Sequence, residues 1–145
     1  MTLVIDASVA VKWVLPEVGS EAANQLKGQD LAAPDLWLSE AANALWRRSR
    51  RGEFSAAQAN QLIAELLEAP VVSSPIEADI AEALKIARDL GHPVYDCLYL
   101  ACALRYDTRV VTGDIRFAAV AARSPAYAAR VVMLGAEGVS PPARS

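Results

Sequence analysis

The chain has 145 residues, enough for one domain with a real hydrophobic core. Its net charge is −3 and its pI about 5.1, which excludes broad nucleic-acid binding through overall charge but leaves room for a local basic patch. No stretch reaches the ~18 uncharged apolar residues of a membrane span, and MTLVIDAS lacks the basic and apolar regions of a signal peptide, so a cytoplasmic protein without membrane contact is expected.

In chain order, residues 3–6 read as a short buried strand, and Pro16 breaks the apolar segment that runs on to Leu15. Ser20 is the expected N-cap of a helix that stops at Gly28. Residues 31–33 give a second strand, and Asp35 is the expected N-cap of a helix running to about Arg51, stopped by Gly52. Ser55 and Gln58 have capping-box spacing, with the apolar stripe Leu62, Ile63, Leu66 and Leu67 behind them. Residues 71–73 form a third strand candidate, followed by a helical stripe from Ile80 to Leu90 that ends at Gly91 and Pro93. A helix over 95–106, a strand over 110–112, a helix over 115–123 and a strand over 131–134 complete the pattern. The domain therefore spans 1–134, and the Gly- and Pro-containing residues 135–145 are expected to be a flexible tail. Alternating strands and helices imply an α/β fold with a mostly parallel sheet covered on both faces, whose ligands bind at the carboxyl ends of the strands.

Four acids stand out because they precede or interrupt apolar segments: Asp6 in LVIDAS, Glu40 in LWLSEAANALW, Asp96 in YDCLYLACAL and Asp114 in RVVTGD. Lone carboxylates are costly to bury, so such positions usually hold a partner or a cation. Oxygen donors suit a hard metal, and hard metals suit phosphate chemistry. Each acid also has a plainer reading: Asp6, Asp96 and Asp114 as helix caps or turn residues, Glu40 as part of a solvated stripe with Asn43 and Arg47 at i+3 and i+7. The remaining acids, among them Glu17, Asp79 and Glu137, read as solvated. Arg47, Arg48, Arg50 and Arg51 form a basic cluster, and Arg116 lies close to Asp114. Trp13, Trp37 and Trp46 read as packing residues before base-stacking ones. Cys97 and Cys102, five apart on one helix, would place their Cα atoms roughly 8–9 Å apart, too far for an unstrained disulfide.

VIDASVAVKWVLPE resembles the opening of PIN-domain proteins, particularly the VapC toxins of VapBC toxin–antitoxin modules. PVYDCLYLACAL and VVTGDIRF resemble the third and fourth acidic motifs of that family, in the same order, over about residues 2–134. The resemblance implies a three-layer α/β/α sandwich with a five-stranded sheet and a Mg²⁺- or Mn²⁺-dependent ribonuclease. It also implies a homodimer and inhibition by a VapB-like antitoxin. It makes Asp6, Glu40, Asp96 and Asp114 the catalytic, metal-site acids, and matches Ser8 and Thr112 to its small polar positions. With Asn43, Arg47 and Arg116, these two are the expected RNA contacts. Some relatives carry a further acid or amide just after the fourth acid; here Ile115, Arg116 and Phe117 follow. A receiver domain would want adjacent acids after the first strand, and a haloacid-dehalogenase-type phosphatase an Asp-x-Asp; Asp6-Ala7-Ser8 matches neither. A catalytically silent PIN-like module that only binds RNA or protein is the alternative.

Overall fold

The computed structural model describes residues 1–136; positions 137–145, including Glu137 and most of the expected tail, lie outside the described residues. Five strands, β1 (Thr2–Ile5), β2 (Asp30–Pro34), β3 (Val71–Ser74), β4 (Val110–Thr112) and β5 (Val131–Met133), pair in the order β3-β2-β1-β4-β5. Every pairing is parallel, so the sheet is wholly parallel. The central strand β1 carries Leu3, Val4 and Ile5, all buried, as expected of a strand covered on both faces. At the edge, Val72 and Ser73 of β3 are exposed.

The connecting helices are α1 (Ala7–Val14), α2 (Ser20–Leu26), α3 (Leu36–Arg50), α4 (Ala56–Leu67), α5 (Ile80–Leu90), α6 (Val94–Arg105) and α7 (Ile115–Ala122). Helix α1 packs against α2, α3 and α4, whereas α5 packs against α6. Strands β1 to β3 step one way across the sheet, while β4 and β5 lie on the other side of β1. Right-handed crossovers then put α1–α4 on one face and α5–α7 on the other, which completes an α/β/α sandwich. The crossover direction reverses between β1 and β4, so the carboxyl ends of these two strands open a crevice.

Local details follow the chemistry of the turns. Ser55 and Gln58 form a full capping box at the start of α4. Ser20 begins α2 but does not cap it; Gly19, at φ 91°, holds the cap position. The Ser20 hydroxyl instead accepts from the Glu17 N–H at 2.9 Å and donates to the Leu15 carbonyl at 3.0 Å. Those groups are left over where Pro16 breaks the chain, and the serine satisfies both. Asp35 precedes α3 with helical backbone angles and makes no side-chain cap bond. Helix α6 is buried on every side from Cys97 to Ala103, because sheet and α5 enclose it. Cys97 and Cys102 are buried free thiols, and burial pushes them up to about 11 and about 12, which keeps both protonated. Trp13 and Trp37 are buried, donating to the Ala23 carbonyl at 2.7 Å and Ser73 Oγ at 2.8 Å, whereas Trp46 is exposed. Among the described residues, no helix is long and apolar enough to cross a membrane.

Asp79 departs from its expected solvated role. It is 2 % exposed and takes both arms of Arg105, Nε to Oδ1 at 2.8 Å and Nη2 to Oδ2 at 3.1 Å. The fork ties the start of α5 to the last turn of α6. Removing Arg105 strands a buried carboxylate, a loss of about 3–5 kcal/mol for an enclosed pair. Because the Arg105 side chain is 40 % exposed, Arg105→Ala is expected to cost about 2 kcal/mol in urea unfolding. The double change Asp79→Ala/Arg105→Ala should cost less than Arg105→Ala alone.

Candidate active site

The crevice at the ends of β1 and β4 is lined by Asp6, Glu40, Asp96 and Asp114 together with Ser8, Lys12, Glu17, Tyr99, Arg47 and Arg48. The four acids come from four separate places in the sequence: the β1–α1 junction, the second turn of α3, the first turn of α6, and the β4–α7 junction.

Asp6 sits deepest, 5 % exposed. It ends β1 and caps α1, so its Oδ1 accepts from the N–H groups of Ser8 at 3.1 Å and Val9 at 3.4 Å. The Ser8 hydroxyl donates to the same oxygen, and the Thr112 hydroxyl donates to Oδ2. Both hydroxyls are fixed by the backbone just past the neighbouring strand β4: Gly113 N–H donates to Ser8 Oγ at 2.8 Å, and Asp114 N–H donates to Thr112 Oγ1 at 2.9 Å. The backbone after β4 thus reaches Asp6 through two hydroxyl relays. A Cβ at Gly113 would lie 3.2 Å from Lys12 Cε and 3.3 Å from Ser8 Oγ, so a side chain there would make Lys12 and Ser8 give by a few tenths of an ångström. Burial, opposed by the hydroxyl bonds and reinforced by the Asp96 charge, pushes the Asp6 carboxyl up to about 6.

Asp114 caps α7, its Oδ1 accepting from the N–H groups of Arg116 at 2.9 Å and Phe117 at 3.3 Å. Cap and site residue are therefore the same acid, as at Asp6. Asp96 is not a cap; Pro93 precedes α6, and Asp96 Oδ2 lies 2.6 Å from His92 Nε2. The His92 ring in turn stacks on Phe117, with centroids 5.8 Å apart and 15° between planes. Glu40 Oε1 accepts from Tyr99 Oη at 2.5 Å, and burial raises the Glu40 carboxyl, with Asp96 adding to the rise. Tyr99 is fully buried, and burial beside Glu40 raises its phenol so that it remains the donor.

The expected RNA contacts divide. Ser8 and Arg47 line the crevice. Thr112 is 0 % exposed, with its hydroxyl engaged by Asp6, so it positions an acid and has no surface to offer a substrate. Asn43 and Arg116 are exposed and stand outside the lining residues. The helical turn explains Asn43: Ala44 and Arg47, at i+4 and i+7 from Glu40, face the crevice, and i+3 falls to one side. Lys12 and Tyr99 were not distinguished by the sequence pattern; Arg48 was marked only as part of the basic cluster, and Glu17, expected to be solvated, instead lines the crevice in an ion pair. Tyr99 had a signal, since it lies one turn from Asp96 on the same helix. Glu17 had none, because an acid after a proline looks like any loop acid.

The PIN domain family model matches residues 3–123. The chain is 35 % identical over 123 residues to Ribonuclease VapC3 of Pyrobaculum aerophilum, covering 81 % of this chain and 93 % of that protein. Among solved structures it resembles PAE2754 of Pyrobaculum aerophilum, with a TM-score of 0.65, 26 % identity, and coverage of 83 % of this chain and 79 % of the other. VapC20 of Mycobacterium tuberculosis, a sarcin-ricin loop cleaving toxin, shares the fold at a TM-score of 0.60 and 17 % identity, covering 81 % and 93 % of the two chains. With a family match across most of its length and a VapC relative above 30 % identity, the chain belongs to the PIN-domain family, among the VapC-type ribonucleases.

Proposed function

We propose that this protein is a divalent-metal-dependent endoribonuclease and the toxin of a VapBC-type pair. The observation that carries the reading is the convergence of Asp6, Glu40, Asp96 and Asp114 on one crevice, with Asp6 buried and its carboxyl raised to about 6. A protein gains nothing in stability from such a cluster, and a cation explains its presence. The partners that follow are RNA, a VapB-like antitoxin and a second copy of the chain, in the cytoplasm.

The donor set fits a hard cation, being carboxylate and hydroxyl oxygen throughout. Among the described residues, no three acidic, histidine or cysteine side chains are gathered into a ready-made cage. Mg²⁺ keeps several waters and takes one or two protein carboxylates, so two direct acids are enough to hold it. Asp6 and Asp96 would hold it, with Asp114 and Glu40 acting through its waters. When bound, the ion supplies charge neutralisation at the scissile phosphate and a more acidic water.

The chain's own groups do the rest. Glu40, its carboxyl raised and one oxygen fixed by Tyr99, takes the proton of the attacking water. The Ser8 and Thr112 hydroxyls hold Asp6 in one orientation. Since water is the nucleophile and the RNA 2′-hydroxyl is not, the products carry 5′-phosphate and 3′-hydroxyl ends.

Cleavage of a mixed RNA pool tests the assignment. Activity is expected with Mg²⁺ or Mn²⁺, none with EDTA or in Asp6→Asn, and about a 100-fold lower kcat in Glu40→Gln. Cyclic 2′,3′-phosphate ends, or undiminished cleavage in EDTA, would contradict it.

The raised Asp6 carboxyl also predicts how stability follows pH without metal. Its folded value of about 6 exceeds the ordinary 3.8, so the folded state binds this proton more tightly than the unfolded chain. The stabilisation is complete below pH ~4 and is lost as pH rises through ~6, a change of about 3 kcal/mol. Unfolding free energies of wild type and Asp6→Asn, measured in EDTA from pH 4 to 7.5, should therefore diverge by about that amount, with the wild type falling. Adding Mn²⁺ at pH 7.5 should raise the wild-type Tm and leave the Asp6→Asn Tm in place.

A further inference from the structure

The crevice lining carries an ion-pair chain that the acid chemistry does not use. Glu17 Oε1 accepts from Lys12 Nζ at 3.1 Å, and its Oε2 from Arg48 Nη1 at 2.5 Å. Arg48 Nε also donates to Glu53 at 3.1 Å. Lys12, Glu17 and Arg48 all line the same crevice as the four acids. Glu17 is held in place: its N–H is fixed by Ser20 Oγ, and Lys12 also donates to the Val18 carbonyl at 2.8 Å.

We propose that Glu17 occupies a phosphate-binding subsite, where Lys12 and Arg48 receive an RNA phosphate next to the scissile one once the carboxylate moves aside. The inference rests on the ribonuclease reading. RNA must enter a crevice with four carboxylates, so it needs cations there, and Lys12 and Arg48 are already taken by an internal anion. A carboxylate bridging two cations through its two oxygens presents the same charge and spacing as two non-bridging phosphate oxygens. Arginine donates to a carboxylate or a phosphate oxygen through the same N–H groups, and Arg48 divides its donors between Glu17 and Glu53. The Glu17 side chain is 27 % exposed, which gives it a route to water when phosphate replaces it. Arg47, exposed at the crevice and without an ion pair among the described residues, makes the first contact. The exchange keeps the cations paired in the free protein and makes RNA compete for them, which lowers affinity for stray polyanions.

The sign of one substitution decides the matter. A clamp that merely positions Lys12 and Arg48 predicts weaker RNA binding when Glu17 loses its charge; a competitor predicts tighter binding. The probe is a fluorescent mixed-sequence 12-nucleotide single-stranded RNA, titrated in EDTA so that cleavage does not enter. Glu17→Gln is expected to tighten binding about 10-fold, and the double variant Glu17→Gln/Arg48→Ala to return to within about 3-fold of wild type. Glu77→Gln, the same charge change on an exposed residue away from the crevice, should alter it less than about 2-fold. Arg48→Ala with Glu17 intact should cost less than Arg48→Ala in the Glu17→Gln background, a comparison that holds even where absolute affinities shift. Unchanged or weaker binding by Glu17→Gln overturns the subsite, and so does equal tightening for a poly-glutamate peptide, which would assign the cations to a carboxylate-bearing partner. If wild type cleaves RNA while Glu17→Gln binds no better, only this inference fails; if neither protein binds or cleaves RNA, the ribonuclease reading fails with it.

Discussion

The structure depends on one buried carboxylate. Asp6 closes β1, caps α1 and accepts the hydroxyls of Ser8 and Thr112, which are in turn bonded by the backbone just after β4. Any shift of β4 against β1 would break both relays at once. The two strand ends that bear Asp6 and Asp114 are therefore set by the same hydrogen bonds that make Asp6 tolerable in the interior. The arrangement costs stability at neutral pH, because burial favours the protonated acid. Residues that destabilise a fold yet are fully engaged by polar partners mark the place where function constrains it.

The other acids reach the same crevice by different physical means. Asp114 does so by capping α7, which fixes its carboxylate at the mouth of the β4 end. Glu40 projects from the second turn of α3 and is steadied by Tyr99 from the opposite face of the sheet. Asp96 is tied to His92, whose ring lies on Phe117, so the third acid is joined through aromatic packing to the helix that the fourth one caps. Helices from both layers thus close on the point where the crossover direction reverses. Around this acidic floor, Lys12, Arg47 and Arg48 provide the positive charge among the described lining residues, and Glu17 engages two of them. An overall acidic chain can thus present a local cationic wall to a polyanion.

Much of this was legible in the chain itself. Apolar runs at Leu3–Ile5 and Val110–Thr112, helical stripes, and punctuation by Pro16, Gly52, Gly91 and the Ser55–Gln58 box determine the elements and their parallel arrangement. The four acids were marked by polar chemistry in apolar settings, a property of local sequence. Tertiary structure decided which neighbours they meet. Thr112 turned inward because its strand position points at Asp6, and Asp79 became buried because Arg105, far along the chain, arrives over it. Glu17, Lys12 and Arg48 share one ion-pair chain only because α1 and α3 pack side by side. Pattern along a chain fixes periodicity and burial tendency; hydrogen bonds and ion pairs between distant residues depend on how helices pack, and no spacing rule carries that information.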